Sequence, residues 1–414
     1  MAPARQVTVI GAGIVGLGCA LYLQRDGHTV TLIDRDGPGE GTSYGNAGIL
    51  ATSSVIPNGT PGLWKKVPGM LADPLAPLAV RWSYLPKIAP WLVRFLAASR
   101  RAAYERISRE LAPLSLQAIE HYEPLLADAG ALDLIRRQGT LYLYESQASL
   151  DAAAEETNLR RALGVRLDRL GPEEVRQFVP GLGAPVAGAM YAPDTAHTIN
   201  PLGLSQAFAD HFQAAGGTIR RAEVRGFTRG PQGPTAIHTS DGELPADQVV
   251  IAAGAYARQL TRQLGWNPPL DTERGYHVML PHADIGLRAA MLVQGRGFGV
   301  TPMAEGLRLA GTVELGGLDA PPNWDRAEIL LTHAKQLFPD LDTSDPARWM
   351  GYRPSLPDSL PVIGRAPDQP NLYFAFGHAH LGLTQGAVTG RIVADLVAGR
   401  TPVIDPRPYR IDRF

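Results

Sequence analysis

The hydrophobic pattern of this chain changes period at well-marked turns. Val7–Ile10 is a short, β-branched, largely apolar run that meets Gly11-Ala12-Gly13-Ile14-Val15-Gly16; a segment of helical composition follows, then a second apolar run, Val30–Ile33, ending at Asp34. Short apolar runs bounded by turn residues read as strands buried on both faces, so residues 7–34 predict strand, helix, strand. Prolines and tryptophans crowd residues 57–95, and Ile107, Leu111, Leu114, Ile119 and Leu125 recur among charges over 98–130, which predicts helix. Thr140–Tyr144 predicts a strand, and helical patterns return at 150–163 and 201–215. Gly216–Ile219 reads as a helix end entering a strand. Asp247–Ala255 reads as a buried parallel strand whose small final residues, Ala253 and Gly254 among them, let something pass close to the backbone. Strand patterns dominate 276–313, and Leu372–Phe376 leads through Gly377 to a last helix near 384–398.

Strands of nucleotide-binding character therefore occur at the start, middle and end of the chain. The pattern predicts an α/β fold in which a discontinuous Rossmann-like domain (1–52, 150–259 and 340–414) is interleaved with a second domain (53–149 and 260–339).

The first glycines have separate physical roles. Gly11 permits the tight turn, Gly13 lets the backbone approach a pyrophosphate, and Gly16 lets the helix pack on the sheet. The helix N-terminus, with Ile14 and Val15 in its first turn, presents free N–H groups and partial positive charge to the phosphates. Asp34, 23 residues after Gly11, is placed to accept from an adenosine ribose, with Arg35 beside it. The fingerprint alone fits NAD or FAD. The interleaving favours a flavoprotein, because NAD dehydrogenases usually keep this half contiguous.

Composition narrows the class. Of 414 residues, 45% are hydrophobic and 19% charged, and the net charge of −1 offers no electrostatic footprint for nucleic acid. Cys19 is the sole cysteine, which excludes an intrachain disulfide framework and a multi-cysteine metal site and suits a reducing compartment. The apolar stretch Val7–Leu23 is better explained by the glycine fingerprint than by a signal peptide, and no run reaches the ~18 apolar residues of a membrane span; a cytoplasmic protein is expected. One segment, 81–101, combines Trp82, Tyr84, Leu85, Trp91 and Phe95 with Arg81, Lys87, Arg94, Arg100 and Arg101. It suits a peripheral contact with the inner membrane's cytoplasmic face or packing against the second domain, with Pro86 and Pro90 expected to interrupt any single long helix.

Four motifs spread over nearly the whole chain carry a resemblance. They are the opening fingerprint, Gly41-Thr42-Ser43-Tyr44-Gly45-Asn46-Ala47-Gly48, Arg274-Gly275-Tyr276-His277, and the pair Trp349–Gly364 and Asn371–Gly390. Together they resemble the FAD-dependent D-amino-acid oxidase superfamily, which includes glycine and sarcosine oxidases, and most of all its bacterial D-amino-acid dehydrogenases. The resemblance implies a substrate amine with an adjacent carboxylate, held between FAD and an antiparallel sheet, and hydride transfer from its α-carbon to the flavin. It implies that Arg353 binds the substrate carboxylate, with Tyr276 as a second contact. Strand parity puts Arg274 and Tyr276 on one face and His277 on the other, as a structural residue. It further implies that the segment Leu381–Thr384, including Gly382, Leu383 and Thr384, directs a helix N-terminus at the flavin's pyrimidine edge. His378 or His380 is a candidate proton acceptor, although the family generally needs none. Thr42 and Ser43 are expected at the phosphate or ribitol, and Tyr44, Asn46, Ala47 and Gly48 in the loop passing the isoalloxazine. Val224 is expected to meet the adenine through its backbone. Covalent family members commonly use cysteine, so Cys19 in the first helix implies non-covalent FAD.

The resemblance leaves three functions: a dehydrogenase oxidising a D-amino acid (D-proline or a D-hydroxyproline is the suggested substrate) and passing electrons to a quinone or other carrier; an oxygen-using glycine- or sarcosine-type oxidase; and a flavin electron-relay subunit of a larger complex. An intact Arg353 and Tyr276 argue against the relay, which needs no carboxylate clamp.

Overall fold

The computed structural model describes residues 4–414. Strands β1 (Gln6–Ile10) and β2 (Thr29–Asp34) run parallel, joined by helix α1 (Ile14–Arg25). They lie within a six-stranded sheet ordered Thr218–Arg221, β2, β1, Gln248–Ile251, Leu372–Phe376, Val362–Arg365, parallel except for the last pair. Both faces of β1 are covered, which is why its run is nearly all apolar. Val7 and Val9 pack with α1 and the final helix (Gly382–Val397), and Ile10 packs with Leu260 and Phe374 on the other side.

Helix α1 and the final helix meet backbone to backbone. A Cβ on Gly18 would lie 2.6 Å from the Gly386 carbonyl oxygen, and one on Gly390 2.3 Å from that of Gly18. This close packing sets the two N-termini side by side, with Val15 next to Gly382.

A nine-stranded sheet stands opposite. It contains β3 (Asp271–Leu280), β4 (Gly306–Leu315) and β5 (Ala347–Ser355), in the order β5, β3, β4, Phe298–Met303, Ala290–Val293, Thr140–Tyr144, Gly188–Ala192, Asp168–Leu170, with Leu78–Val80 also paired to β4. Most pairs are antiparallel. Its outer face packs Tyr276, Val278 and Leu280 against Ala327, Leu330 and Ala334 of the helix Asp325–Leu337.

Three strands join this sheet from inside segments that the sequence pattern assigned to the nucleotide-binding domain: Asp168–Leu170, Gly188–Ala192 and β5. A short apolar run reveals a strand but not its partner, because pairing is decided by distant residues. The helical stretch 98–130 divides at Gln117 into Arg101–Leu116 and Ala118–Asp128.

Helices α2 (Leu63–Ala72) and α3 (Leu85–Ala98) cover one end of the space between the sheets. Contrary to expectation, α3 runs unbroken through both prolines. Pro86 lies in its first turn, where an amide has no intrahelical partner, and Pro90 removes one donor without ending the helix. Ile88 and Trp91 of α3 are buried, whereas Trp82, Val93 and Leu96 are exposed. Among the described residues no helix is long and apolar enough to cross a membrane.

Candidate active site

A cavity of about 1120 Å³ runs between the two sheets, from Asp34 and Arg35 at one end, past Gly13, Ile14, Val15 and Ser43, to Arg353 and His380, and reaches Trp64, Trp82 and Leu96 beside α2 and α3. At its first end Gly11 has φ +108°, and a Cβ there would lie 2.5 Å from the Ala252 carbonyl oxygen; only glycine fits without strain. The Ser43 hydroxyl accepts from the Ile14 amide at 2.9 Å, so Ser43 caps α1 from a distant loop. Asp34 accepts from the Ala12 amide at 2.7 Å and from the Asp36 and Gly37 amides at 2.9 and 3.2 Å. Its carboxylate thus fixes the glycine turn while bordering the cavity. The Arg35 guanidinium stacks 3.9 Å over the Tyr256 ring, and Val224, Ala253 and Gly254 complete this end.

The loop 41–48 is held from behind by the larger sheet. His277 donates through Nδ1 to the Gly45 carbonyl at 2.9 Å and stacks on Trp349, with ring centroids 5.2 Å apart. Arg308 donates to the Tyr44 and Asn46 carbonyls at 3.2 and 2.9 Å, and Thr301 to that of Ala47 at 2.8 Å. Two of the residues expected as ligands spend their side chains on this scaffold. Thr42 donates to the Tyr352 carbonyl at 2.9 Å, and Asn46 spans the loop, donating to the Ser43 carbonyl and accepting from the Gly48 amide, both at 2.7 Å. Gly16 and Gly48 lie behind the wall: a Cβ on Gly16 would strike the Gly11 carbonyl, and Gly48, with φ +73°, sits against Thr198 and Met303.

At the opposite end Arg353 on β5 faces Glu273 on β3, its cross-strand partner. The guanidinium reaches over β3 at Gly275, where a Cβ would lie 2.3 Å from its Cζ, and donates to the Thr312 carbonyl of β4 at 2.8 Å and the Gly311 carbonyl at 3.4 Å. Burial lowers its pKa, opposed by Glu273, yet a guanidinium keeps its charge. The result is a fixed cation on the cavity floor.

Tyr276 does not join it. Strand alternation turns its ring to the other face of β3, where the hydroxyl donates to Glu314 at 2.5 Å and accepts from the Asn323 amide at 2.9 Å. Arg274 shares that face, donating to the carbonyls of Gly317, Ala320 and Pro321. The expected parity of Arg274, Tyr276 and His277 holds; the expected second carboxylate contact does not.

The two histidines also separate. His378 is buried, with Nε2 hydrogen-bonded to the Thr389 hydroxyl at 2.9 Å, and burial takes its pKa to about 3. Ala379, with φ +47°, turns the chain so that His380 projects into the cavity, its ring solvent-exposed there, and the charges of Arg353 and Arg160 help to lower its pKa. Leu381, Gly382 and Leu383 bring the final helix's N-terminus to the wall. Thr384 faces away, its hydroxyl accepting from the Ala51 amide at 3.0 Å.

Sequence reading missed Glu273, Gly275 and Tyr256. The signal for the first two was present: the parity that sends Arg274 and Tyr276 outward sends Glu273 and Gly275 inward.

Buried neutral histidines make the fold acid-labile. His277 and His378 have folded pKa values of about 4 and 3, against about 6.5 in an unfolded chain. Below about pH 6.5 the unfolded state therefore binds protons that the folded rings refuse, and stability falls as pH drops toward about 4, by up to about 1.4 kcal/mol per pH unit per ring. Melting of the holoenzyme at pH values of about 7 and 5 checks this; an unchanged midpoint contradicts it.

A Rossmann-type fingerprint, two helix N-termini on one cavity and an arginine fixed on its floor define a dinucleotide-dependent enzyme. The chain belongs to the FAD dependent oxidoreductase family, whose model matches residues 6–396. It is 41% identical, over the full length of both chains, to a D-amino-acid oxidase of Bradyrhizobium diazoefficiens, and 33% identical, over 99% of each chain, to a D-amino acid dehydrogenase of Paramagnetospirillum magneticum. Glycine oxidase from Geobacillus kaustophilus shares the fold, with a TM-score of 0.79 at 24% identity over all of both chains. L-proline dehydrogenase from P.horikoshii also shares it, with a TM-score of 0.74 at 19% identity over 100% of this chain and 98% of that one. The cofactor is FAD, and the cavity fits it: a glycine cradle that a Cβ would fill, an acid at one end, and two helix N-termini along its length. Cys19 is sealed in α1 with its thiol pKa pushed up to about 12, so it is no attachment point.

Proposed function

We propose that this enzyme oxidises D-amino acids at the α-carbon, with Arg353 binding the substrate carboxylate. The observation that carries the reading is the half-buried guanidinium laid over Gly275 on the cavity floor, on the same cavity as the helix N-terminus at Leu381–Leu383. A planar cation fixed by two carbonyls can grip a carboxylate and set the α-carbon's position. The names of the full-length relatives supply the substrate class.

Gly11, Gly13, Ser43 and Asp34 hold the ADP portion of FAD, with Val224 and the stacked Arg35 and Tyr256 beside the adenine. Gly382 and Leu383 turn their amides to the ring. Bound there, FAD supplies the two-electron acceptor. His380 reaches the substrate side with a neutral ring. The neighbouring Arg353 and Arg160 charges disfavour a protonated ring, so His380 is placed to orient the amine by accepting its hydrogen bond. Arg353 and the apolar walls exclude water around the reacting carbon.

The holoenzyme mixed anaerobically with a panel of D-amino acids should lose its visible flavin band, whereas amines lacking the carboxylate should leave it intact. Equal bleaching by both removes Arg353 from its role.

A quinone or other apolar carrier as electron acceptor is supported by the exposed Trp64, Trp82 and Leu96 at the cavity's end, a surface also suited to lipid. Dioxygen is the second reading, favoured by the 41%-identical oxidase. Turnover with a quinone in the absence of peroxide, together with co-sedimentation with anionic liposomes, is the expected result; rapid peroxide formation in air and a protein that stays in the supernatant favour the second.

A further inference from the structure

We infer that Glu273 selects D-amino acids with a positively charged side chain, of the D-lysine and D-arginine class; this rests on the carboxylate-binding reading of Arg353. Along β3, Asp271, Glu273, Gly275 and His277 alternate onto one face, and Glu273 and Gly275 border the cavity. The charges on that wall are Arg353, Arg160, Glu156 and Glu273. Arg160 already pairs with Glu156 at 2.7 Å, and Asp271 receives the hydroxyl of Tyr84, next to α3, at 2.9 Å. Arg353 directs two of its five N–H groups to the carbonyls of Thr312 and Gly311, and among the described residues no ion pair within 4.0 Å joins it to Glu273. Glu273 is thus a half-buried carboxylate with no cation in ion-pair contact. Burial raises its pKa more than Arg353 and the Ser355 hydroxyl lower it.

Substrate binding sharpens this imbalance. A carboxylate on Arg353 takes up the positive charge that partly compensates Glu273 and brings a second anion near it. The substrate's α-amine cannot restore balance, because it must be neutral and beside the flavin when hydride leaves. A side-chain cation can. Glu273 lies two residues along β3 from Gly275, about 7 Å at strand rise, on the side away from the loop 41–48. That is the span of a lysine or arginine side chain, and Trp91, Val313 and Leu315 line the cavity with apolar surface for its methylenes.

The test compares kcat/KM for D-lysine and D-arginine with that for D-norleucine and D-methionine, in the wild-type holoenzyme and in Glu273→Gln. The wild type is expected to prefer the basic pair by about ten- to hundredfold, the usual scale of a charge-assisted hydrogen bond, and Glu273→Gln to bring the ratio close to one. A wild-type ratio of one or less overturns the inference, and so does a ratio that survives the substitution. The wild-type comparison decides by itself if the variant loses its flavin. Failure of every D-amino acid to reduce the flavin is a different result: it overturns the function proposed above, and this inference with it.

Discussion

Replacing Arg353 by leucine is expected to lower kcat/KM for D-amino acids by about 10²- to 10³-fold while flavin content stays near one per chain. The guanidinium is the fixed cation on the cavity floor, and removing one partner of a buried charge pair costs about 3–5 kcal/mol. Most of the loss should appear in KM, because the carboxylate contact exists before and during the chemical step. The variant also leaves Glu273 without its only nearby positive charge, so a modest loss of thermal stability should accompany the kinetic one. Steady-state kinetics with flavin quantitation checks this; near-normal KM would show that the substrate carboxylate lies elsewhere.

Gly11→Ala is expected to yield protein nearly free of flavin. A side chain there must adopt φ near +108° and place its Cβ 2.5 Å from the Ala252 carbonyl oxygen, which belongs to the strand end next to β1. Backbone strain and the clash together cost about 3 kcal/mol or more, shared between fold stability and cofactor affinity. Relief requires moving the glycine turn, which the Ala12–Asp34 hydrogen bond ties to β2. The ratio of flavin to protein absorbance and the melting temperature report the two shares. Full flavin loading with unchanged melting would mean that the turn is not under this constraint.

The nucleotide half of the molecule was legible because its signals are local. Gly11, Gly13 and Gly16 sit within six residues, the apolar runs on either side are buried on both faces, and Asp34 follows at a distance set by one strand, helix and strand. Arg353 and the final helix's N-terminus, both named by the resemblance, border the cavity, although they lie far from Gly11 in sequence. What was not legible depends on long-range pairing. Tyr276 looked like a ligand because its motif suggested one, yet the face of β3 it occupies follows from the strand's register against β5. The same register brings Glu273 to the cavity, while Thr42, Asn46 and Thr384 are bonded to backbone through other contacts. Hydrogen-bond partners 300 residues away, such as Tyr352 for Thr42, leave no trace in a local pattern. The helix through Pro86 and Pro90 shows a further limit: Pro86 in the first turn has no partner to lose, and the helix tolerates the one donor lost at Pro90.

The most direct measurement is an anaerobic titration of the holoenzyme with the two enantiomers of one amino acid, D-lysine and L-lysine, followed by the visible flavin band and by keto-acid product. The D enantiomer is expected to bleach the flavin stoichiometrically and to yield one keto acid per flavin, with the L enantiomer leaving both signals unchanged. Bleaching by the L enantiomer alone, or by neither D-lysine nor any neutral D-amino acid, would contradict the account.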